Sequence, residues 1–409
     1  SISTTRRLGV FAATCLLSVV LPAAPAWAQT TKTKPAPAQQ AATAVSGDAV
    51  SVTIPTIEAI DANVDEATLR DILSGKLVEN AQALAGLTAT SITIPTITLE
   101  ARSTINGKPA NSEIAWNDIV LDNVVDGVAE TVTMSGSTMT TSMDASGEFG
   151  TISASNVDIG GLLRLYGLVD GGGQTEMSTL YTDLSFDGGS FSAPEVDCTF
   201  GAATVAEFKA RPIKSSFAEV MALGQALEAE GETPSPATIG KALHVYADLL
   251  TAFESTPVQF DGFSCQGIDS DSNPVDFSVA SMTMGAMAPG IYPSFEVNDL
   301  SVVVPGDGSI TAGQFSFKPI DLTAPLALIQ AAPDALDEAW FAANARALVP
   351  AFAGFSINDV AVDIPDPENP GGRITGGLGA LDVALGDYLN GVPTTFLTTA
   401  SHLTLDLPA

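Results

Sequence analysis

The sequence predicts an α+β protein in which units of mostly antiparallel strands, each followed by a helix, form an extended sheet with the helices packed on one side. Three observations predict it. A seven-residue phrase recurs, as "SVTIPTI" at Ser51 and "SITIPTI" at Ser91. Many segments alternate apolar and polar residues, which is typical of strands with one buried face. Several of these segments are followed by residues with a helical period.

The first 28 residues are predicted to be a secretory signal peptide (1–28). Arg6 and Arg7 precede an apolar run, and "AWA" at Ala26 has the small residues of a cleavage site. The run is shorter than the roughly 20 residues that a membrane-spanning helix needs. We therefore expect export by the general secretory route of a Gram-negative bacterium, to the periplasm or the cell exterior, with a mature chain that begins at Gln29.

Residues 29–47 are mostly Ala, Thr, Pro and Gln and predict a flexible linker. Beyond it we expect an N-terminal repeat region with inserted helices at 48–254 and a C-terminal repeat region at 255–409. The chain of 409 residues is long enough for one large domain or two ordinary ones. No membrane-spanning segment is expected in the mature chain.

The charge of the chain limits its partners. It carries 16 basic and 47 acidic residues, a formal net charge of −31. Such a surface repels phosphate groups, so nucleic acids and anionic membrane surfaces are poor candidates as partners, and we expect no nucleic acid. The hydrophobic fraction of 45% is typical of a chain that buries a core.

A second repeated signature is Asn-Asp followed by alternating apolar residues. It occurs at Trp116, Phe295 and Phe355, with weaker copies at Tyr181 and Phe260. We expect the segments from Phe295 and from Phe355 to be equivalent. An aspartate between apolar residues follows each full unit, and we expect it to cap the N-terminus of a helix. These aspartates are Asp158, Asp197, Asp321 and Asp382.

Helical periodicity predicts both short and long helices. The short ones follow the strand units, at 159–169, 203–210, 323–332 and 383–391. The long ones are insertions at 65–84, 216–229, 236–253 and 334–348. Ser216 and Glu219 have the spacing of a capping box at the start of one of them.

An acidic turn is the one weak metal candidate, for calcium. Calcium requires six to eight oxygen ligands, and an EF-hand loop supplies a glycine at position six and a glutamate at position twelve. Pro274 and Ala280 stand at those two positions. An acidic turn between strands is therefore favoured over a calcium site. The acidic and amide residues concerned are Asp269, Asp271, Asn273 and Asp276.

The sequence predicts no catalytic or cofactor-binding residue. His244 lies beside an apolar helical stripe, and His402 has no obvious partner. No G-x-S-x-G elbow is present, and "GFSCQ" at Gly262 lacks the closing glycine. Cysteines and histidines lack zinc spacing, and no phosphate-binding or dinucleotide-binding fingerprint occurs. We therefore expect no enzymatic activity and no cofactor.

Cys198 and Cys265 are the only cysteines that remain after removal of the predicted signal peptide. An even number of cysteines in an oxidising compartment favours a disulfide. Cys198 lies at the end of one strand unit, in its third strand, and Cys265 lies in the first strand of the next unit. Consecutive units are expected to lie side by side. We therefore predict a bond between Cys198 and Cys265.

These observations favour an exported, non-catalytic repeat protein of the cell envelope that binds an apolar ligand, a lipid or an acyl chain, in a groove of its sheet. The mean hydropathy is positive although export is predicted. The alternative is a structural or adhesive surface protein without a small-molecule ligand. A hydrolase with a site that the sequence does not reveal is the third possibility. The sequence does not indicate an oligomeric state.

Overall fold

The computed structural model describes most of the chain, namely residues 49–105, 108–269, 273–366, 368–369 and 371–407. The predicted signal peptide (1–28) and linker (29–47) lie outside these residues. Of the described residues, 52% are in strands and 20% in helices. Twenty-two of the 25 strands form one large sheet, and the other three form a small second sheet.

The strands vary in length from two residues to 18. In chain order they are β1 (Ala49–Thr53), β2 (Glu58–Ile60), β3 (Ala89–Ile105), β4 (Lys108–Val125), β5 (Val128–Thr141), β6 (Ser146–Phe149), β7 (Ile152–Asp158), β8 (Ser178–Phe186), β9 (Gly189–Ala193), β10 (Val196–Phe200), β11 (Ala203–Ala210), β12 (Phe253–Ser255), β13 (Val258–Phe260), β14 (Phe263–Ile268), β15 (Pro274–Val279), β16 (Ser281–Met284), β17 (Ile291–Tyr292), β18 (Phe295–Val304), β19 (Gly308–Phe317), β20 (Ile320–Asp321), β21 (Ala351–Phe352), β22 (Gly354–Pro365), β23 (Arg373–Leu389), β24 (Val392–Ser401) and β25 (Thr404–Asp406).

Seven helices occur in the described part of the chain. They are α1 (Glu66–Leu73), α2 (Leu77–Ala85), α3 (Ile159–Leu165), α4 (Phe217–Glu230), α5 (Pro236–Leu250), α6 (Thr323–Gln330) and α7 (Glu338–Asn344). The predicted capping box is confirmed, because the Ser216 side chain accepts from the Glu219 N–H and the Glu219 side chain accepts from the Ser216 N–H. Ser235 caps α5 and Asp65 caps α1 through their side chains.

The large sheet is an antiparallel meander of fourteen rows, each made of one long strand or of short strands in line. Neighbouring strands lie about 4.8 Å apart, so the sheet extends for roughly 60 Å across the strands. The rows in order are β1 with β2, β3, β4, β5, β6 with β7, β8 with β9, β10 with β11, β12 and β13 with β14, β15 with β16, β18, β19, β22, β23, and β24 with β25.

A line of interruptions crosses all fourteen rows at the same level, and we call it the kink line. On either side of it the strand pairing continues in an unchanged register, as with Asn298↔Gln314 and Leu300↔Ala312. The residues at which pairing stops are, row by row, 54–57, Pro95, Asp118, 135–136, 150–151, 187–188, 201–202, 261–262, Ala280, Asp299, Gly313, Asp359, Gly379 and 402–403.

The kink line explains the repeated Asn-Asp signature. Asp118, Asp299 and Asp359 have φ values of 47°, 51° and 52°. Aspartate tolerates this left-handed conformation better than β-branched residues do. Gly313 lies opposite two of these aspartates, and a Cβ on it would approach the Asp359 Cβ to 3.0 Å. The signature therefore marks a residue at which a strand is kinked in the middle of the sheet.

The kink line divides the sheet into two parts, which differ in the connections between their strands. On one side the strands are joined by short hairpin turns, for example between β9 and β10, and we call this part the hairpin wing. On the other side lie β2, β7, β8, β11, β13 and β16, and all seven helices occur in its connections. We call this part the helix wing. The small sheet, β17 with β20 and β21, belongs to the same connections.

The helices bury parts of one face of the helix wing. In the first rows, Leu69 of α1 and Leu84 beside Leu87 pack with Ile92 and Ile94 of β3. Further along, helix α3 covers strands β8 and β11. A third cluster joins helices α5 and α6 to each other. The core thus lies between the helices and the strand ends from which they emerge.

The predicted fold class is wrong in its arrangement of helices. The protein is mostly antiparallel sheet, with few helices that do not recur after each strand unit. Segments 203–210 and 383–391 were predicted to be helical, but β11 and β23 account for most of them. Their alanine, leucine and glutamate residues favour helices, but cross-strand pairing with long-range neighbours overrides that preference.

Two of the four predicted helix caps are wrong because no helix follows the aspartate concerned. Asp158 does cap α3, because its side chain accepts from the Gly161 N–H at 2.6 Å. The Asp321 side chain accepts from the N–H of Thr323, the first residue of α6, at 2.8 Å. By contrast, Asp197 and Asp382 lie within β10 and β23, and no helix follows either strand directly.

The two segments that begin at Phe295 and Phe355 were expected to be equivalent. Both start with a long strand that has its aspartate on the kink line, and Asn298 and Asn358 both pair with Gln314. Beyond the hairpins they differ, since β19 leads to a helix whereas β23 continues to Leu389 and turns into β24. The equivalence therefore covers the strands and not the helices.

Candidate functional site

One face of the sheet is apolar along its whole length, and we call it the apolar face. In the helix wing, directly opposite residues form one column through thirteen rows. Every member of this column is apolar. The members in order are Ile94, Ile119, Met134, Ile152, Phe186, Ala203, Phe260, Met282, Val297, Phe315, Ile357, Leu381 and Ala400.

The column that points to the other face is polar except at Val120. Its members are offset by one residue from those of the apolar column, as period-two alternation requires. Neighbouring hydroxyls bond across it, as Ser153 and Ser185 do at 2.8 Å and Ser316 and Ser356 at 2.7 Å. Its members in order are Glu58, Thr93, Val120, Thr133, Ser153, Ser185, Thr204, Gln259, Thr283, Glu296, Ser316, Ser356, Asp382 and Thr399.

Most of the apolar column is incompletely covered. Ile94, Phe186 and Ala203 are buried. The members from Ile119 to Ile152, and those from Phe260 to Leu381, are only partly buried. A folded monomer rarely leaves so long a contiguous apolar surface in contact with water unless it binds something there.

The helix wing contains a concavity of about 460 Å³ on this face. It lies over strands β4, β5, β7 and β8. Because the kink at Asp118 shifts the alternation, Trp116 and Ile119 both point into it although they are three residues apart. The residues that line it are Trp116, Ile119, Val132, Thr133, Met134, Ile152, Ala154, Val157, Tyr181 and Leu184.

Two tyrosines pack against one hydrophobic cluster, and one of them lines this concavity. Tyr181 lines it and stacks on Phe208, with ring centroids 5.2 Å apart. Tyr166, which directly follows α3, packs in the same cluster, and its hydroxyl is buried without a hydrogen-bond partner among the described residues. Burial raises the pKa of Tyr181 to about 12. Burial, and to a lesser degree the neighbouring Tyr181, raises the pKa of Tyr166 as well.

The predicted disulfide is confirmed. Cys198 and Cys265 are bonded, and their Cα atoms are 4.1 Å apart because the residues lie directly opposite each other in β10 and β14. They belong to a column of the apolar face in the hairpin wing, beside Phe191 and Phe277. The bond therefore joins two neighbouring rows of the hairpin wing.

The weak calcium candidate gains no support from the described residues. Asn273 donates its backbone N–H and its side-chain amide to the Asp269 carboxylate, at 2.9 and 3.1 Å. Asp276 lies within β15, and Asp271 lies outside the described residues. Among the described part of the chain, no group of three or more metal-ligating side chains is found.

The two histidines lie on different elements. His244 is in α5, where its Nε2 atom is enclosed without a hydrogen-bond partner among the described residues. His402 lies on the kink line in the last row, with a φ of 53°. Sequence reasoning did not single out the residues that line the concavity. The only signals were the repeat copies at Trp116 and Tyr181, and they gave no indication of a cavity.

Comparisons with known proteins do not add a function. No protein-family model matches the chain, and neither the curated proteins nor the solved structures gave a match. Among the described helices, none has the length and apolar character needed to cross a bilayer.

Proposed function

We propose that this protein is an exported, non-catalytic component of the cell envelope that binds the acyl chain of a lipid on its apolar face. Export is supported by the disulfide between Cys198 and Cys265, since such bonds persist in oxidising compartments. The order of charged, apolar and small residues in 1–28 supports it as well.

The incompletely covered apolar column carries the proposal. Its thirteen members, from Ile94 to Ala400, present aliphatic and aromatic groups side by side, whereas the column offset by one residue is polar except at Val120. An acyl chain is a long, flexible, apolar ligand, and a continuous apolar surface matches it without requiring directional contacts. The concavity of about 460 Å³ has the size of a small-molecule site.

A structural or adhesive role is the second candidate, and the last row of the sheet favours it. Among the described strands, β24 pairs with β23 alone. It exposes apolar side chains on both faces, since Phe396 and Leu397 are 68% and 57% exposed. Leu405 of β25 is 65% exposed. Exposed apolar edge strands add strands from other chains. A structural or adhesive role depends on contacts with other proteins and does not involve a bound lipid.

Binding of a fluorescent acyl-chain ester, methyl parinarate, to the purified mature chain tests the proposal. Met134 lines the concavity, and Met134→Glu is expected to weaken binding by about tenfold or more, because it places a charge on the apolar surface. Thr138→Glu is the matched control, since Thr138 is exposed on the opposite face of the same strand.

The expected result is saturable binding by the wild-type chain and by Thr138→Glu, with lipid present in organic extracts of the purified protein. Absence of saturable binding together with clean extracts would overturn the proposal and favour the structural role. Equal weakening by both substitutions would show that the apolar face is not the site.

A further inference from the structure

The apolar face continues into the hairpin wing, where one of its columns contains the disulfide. Directly opposite residues of neighbouring strands point to the same face, so the strand pairing traces this column through all fourteen rows. The column runs from Val52 opposite Leu99 in the first rows, through Cys198 opposite Cys265, to Leu405 in the last row. We call it the disulfide column. Every one of its fourteen members is apolar or glycine.

Most of the disulfide column remains in contact with water. Cys198, Cys265 and Gly147 are buried, and the other eleven members are half-buried or exposed. Ile310 and Leu405 are the most open, at 48% and 65% exposed. The described connections of the hairpin wing contain no helix that could cover them. Folded monomers rarely leave a contiguous apolar surface of more than a few hundred Å² in water, so this face requires a partner.

The size of this surface fits another protein better than a single lipid. The columns on either side of the disulfide column are mostly apolar too, with Phe200 and Phe263 toward the kink line and Val196 and Val304 toward the hairpins. Three columns in fourteen rows measure about 60 Å by about 15–20 Å, or roughly 1,000 Å², because strands lie about 4.8 Å apart and every second residue about 6.7 Å apart. A stable protein interface buries about 800 Å² on each partner, whereas one acyl chain would cover only a narrow strip.

The distribution of charge favours a second copy of the chain as the partner. With a net charge of −31, two copies repel each other wherever their carboxylates meet. No member of the three columns is charged, whereas the column one residue away, on the other face, carries Glu113, Asp197, Asp276 and Asp363. Two copies can therefore meet through their apolar faces with these carboxylates turned outward to water. The same negative charge repels an anionic membrane.

The centre of the surface has the composition of an interface core. Cys198 and Cys265 lie in the seventh and eighth of the fourteen rows, and Phe191, Phe263 and Phe277 pack around them. Aromatic side chains are enriched in interface cores, and the residues that contribute most to binding lie near the geometric centre. The disulfide fixes the two central strands before association, which lowers the entropy lost on binding.

We propose that two copies of the chain pack face to face through their hairpin wings and form a β-sandwich with the two disulfides at its centre. Sheets pack in this way about 10 Å apart, with the side chains of the two inner faces interdigitating. Such a dimer is isologous, because each copy contributes the same surface. The contact covers side chains such as Ile310 that a single copy leaves in water. It does not depend on lipid binding, since the concavity lies in the helix wing.

Sedimentation equilibrium of the purified mature chain at micromolar concentrations tests the proposal, and the wild-type protein is expected to be a dimer. Ile310→Glu is expected to raise the dissociation constant of the dimer about tenfold or more, because it places one charge from each copy in an apolar interface. Ile310 is 48% exposed in a single copy, so the variant should still fold, which far-UV circular dichroism checks. Thr311→Glu is the matched control, since Thr311 is the next residue of β19 and points to the other face.

Leu397→Glu separates this contact from pairing between edge strands. Leu397 is 57% exposed on β24 and lies on the polar face, so the substitution is expected to leave the dimer intact. A dimer that Leu397→Glu dissociates and Ile310→Glu does not would place the contact at the sheet edge and overturn the proposal. Equal weakening by Ile310→Glu and Thr311→Glu would overturn it as well.

A wild-type protein that is monomeric throughout this concentration range would also overturn the proposal. Flotation with vesicles of phosphatidylcholine, which carries no net charge, then shows whether the face binds a lipid surface instead. Methyl parinarate binding by Ile310→Glu is expected to be retained, so loss of the dimer and loss of the proposed lipid binding are measured separately.

Discussion

The hairpin wing and the helix wing contain the same rows of strands, yet they bury their apolar residues to different extents. In the helix wing, Leu180, Phe208 and Val258 are at most 1% exposed, because helices or neighbouring strands cover them. In the hairpin wing, Cys198 and Phe263 are 9% and 7% exposed. In the part of the chain that the structure describes, the hairpin turns contribute no covering layer there, and the burial comes from neighbouring side chains in the sheet.

The difference shows how each wing is stabilised. The helix wing has a helical layer, which is the usual way to cover one face of a sheet. The hairpin wing instead has the disulfide and a chain of aromatic contacts around it. Phe263 lies 5.3 Å from Phe200 and 5.6 Å from Phe277 between ring centroids. The cross-link lies in the wing whose described connections contain no helix.

Removal of the disulfide is expected to have the largest effect. The bond joins residues 67 positions apart, and closing such a loop in the unfolded chain is worth about 4 kcal/mol. We expect Cys198→Ser with Cys265→Ser to lower the free energy of unfolding by about that amount. Urea denaturation measures it, with the reduced wild-type protein as control. An unchanged unfolding midpoint would show that the hairpin wing does not depend on the bond.

Truncation of one apolar residue in each wing compares their packing directly. Leu180 is 1% exposed beneath α3, and Leu180→Ala is expected to cost about 3 kcal/mol. Ile310 in the hairpin wing is 48% exposed, and Ile310→Ala is expected to cost less than about 1 kcal/mol because its side chain is half in water already. Urea denaturation of both variants measures the difference. Equal losses in the free energy of unfolding would contradict the difference in burial between the two wings.

The kink line is shared by both wings, and a substitution at Asp299 tests its backbone requirement. Asp299 has a φ of 51°, a conformation that β-branched residues avoid. Asp299→Val is expected to destabilise the protein by about 1–2 kcal/mol. Asp299→Gly is the control, since glycine adopts this conformation freely. Thermal denaturation measures both variants, and a valine variant as stable as the glycine variant would contradict the prediction.

Acidification is expected to have the smallest effect and to act on the helix wing. The hydrogen bond from the Ser216 N–H lowers the pKa of Glu219 below its ordinary value of 4.5. A lowered folded-state pKa means that the capping contribution is present above pH 4.5 and is lost as the pH falls through the folded-state pKa. We therefore expect α4 to fray in acid before the strands of the hairpin wing open.

Amide hydrogen exchange at a series of acidic pH values measures this fraying. Glu219→Gln is the control, because glutamine retains a capping oxygen but does not titrate. The acid-dependent loss of protection in α4 should be smaller in that variant. Identical pH profiles in the two proteins would show that Glu219 is not the group responsible.

Local features of the protein were predictable because their causes are local. Ser216 and Glu219 form their capping box within one turn of chain, and alternation in β18 and β22 identified strands. The disulfide followed from the number of cysteines and their position in neighbouring units. The pairing that places Cys198 opposite Cys265 is a long-range contact, but the order of the units already implied it.

The sequence by itself therefore determined which segments alternate, where helices such as α4 begin, and that the two cysteines bond. Only the tertiary structure decided that 203–210 and 383–391 are strands, and that the aspartate of the Asn-Asp signature lies at a kink within a strand. The physical reason is that aspartate adopts left-handed φ in turns and in strands alike. Pairing with neighbouring strands determines whether such an aspartate lies in a turn or at a kink within a strand.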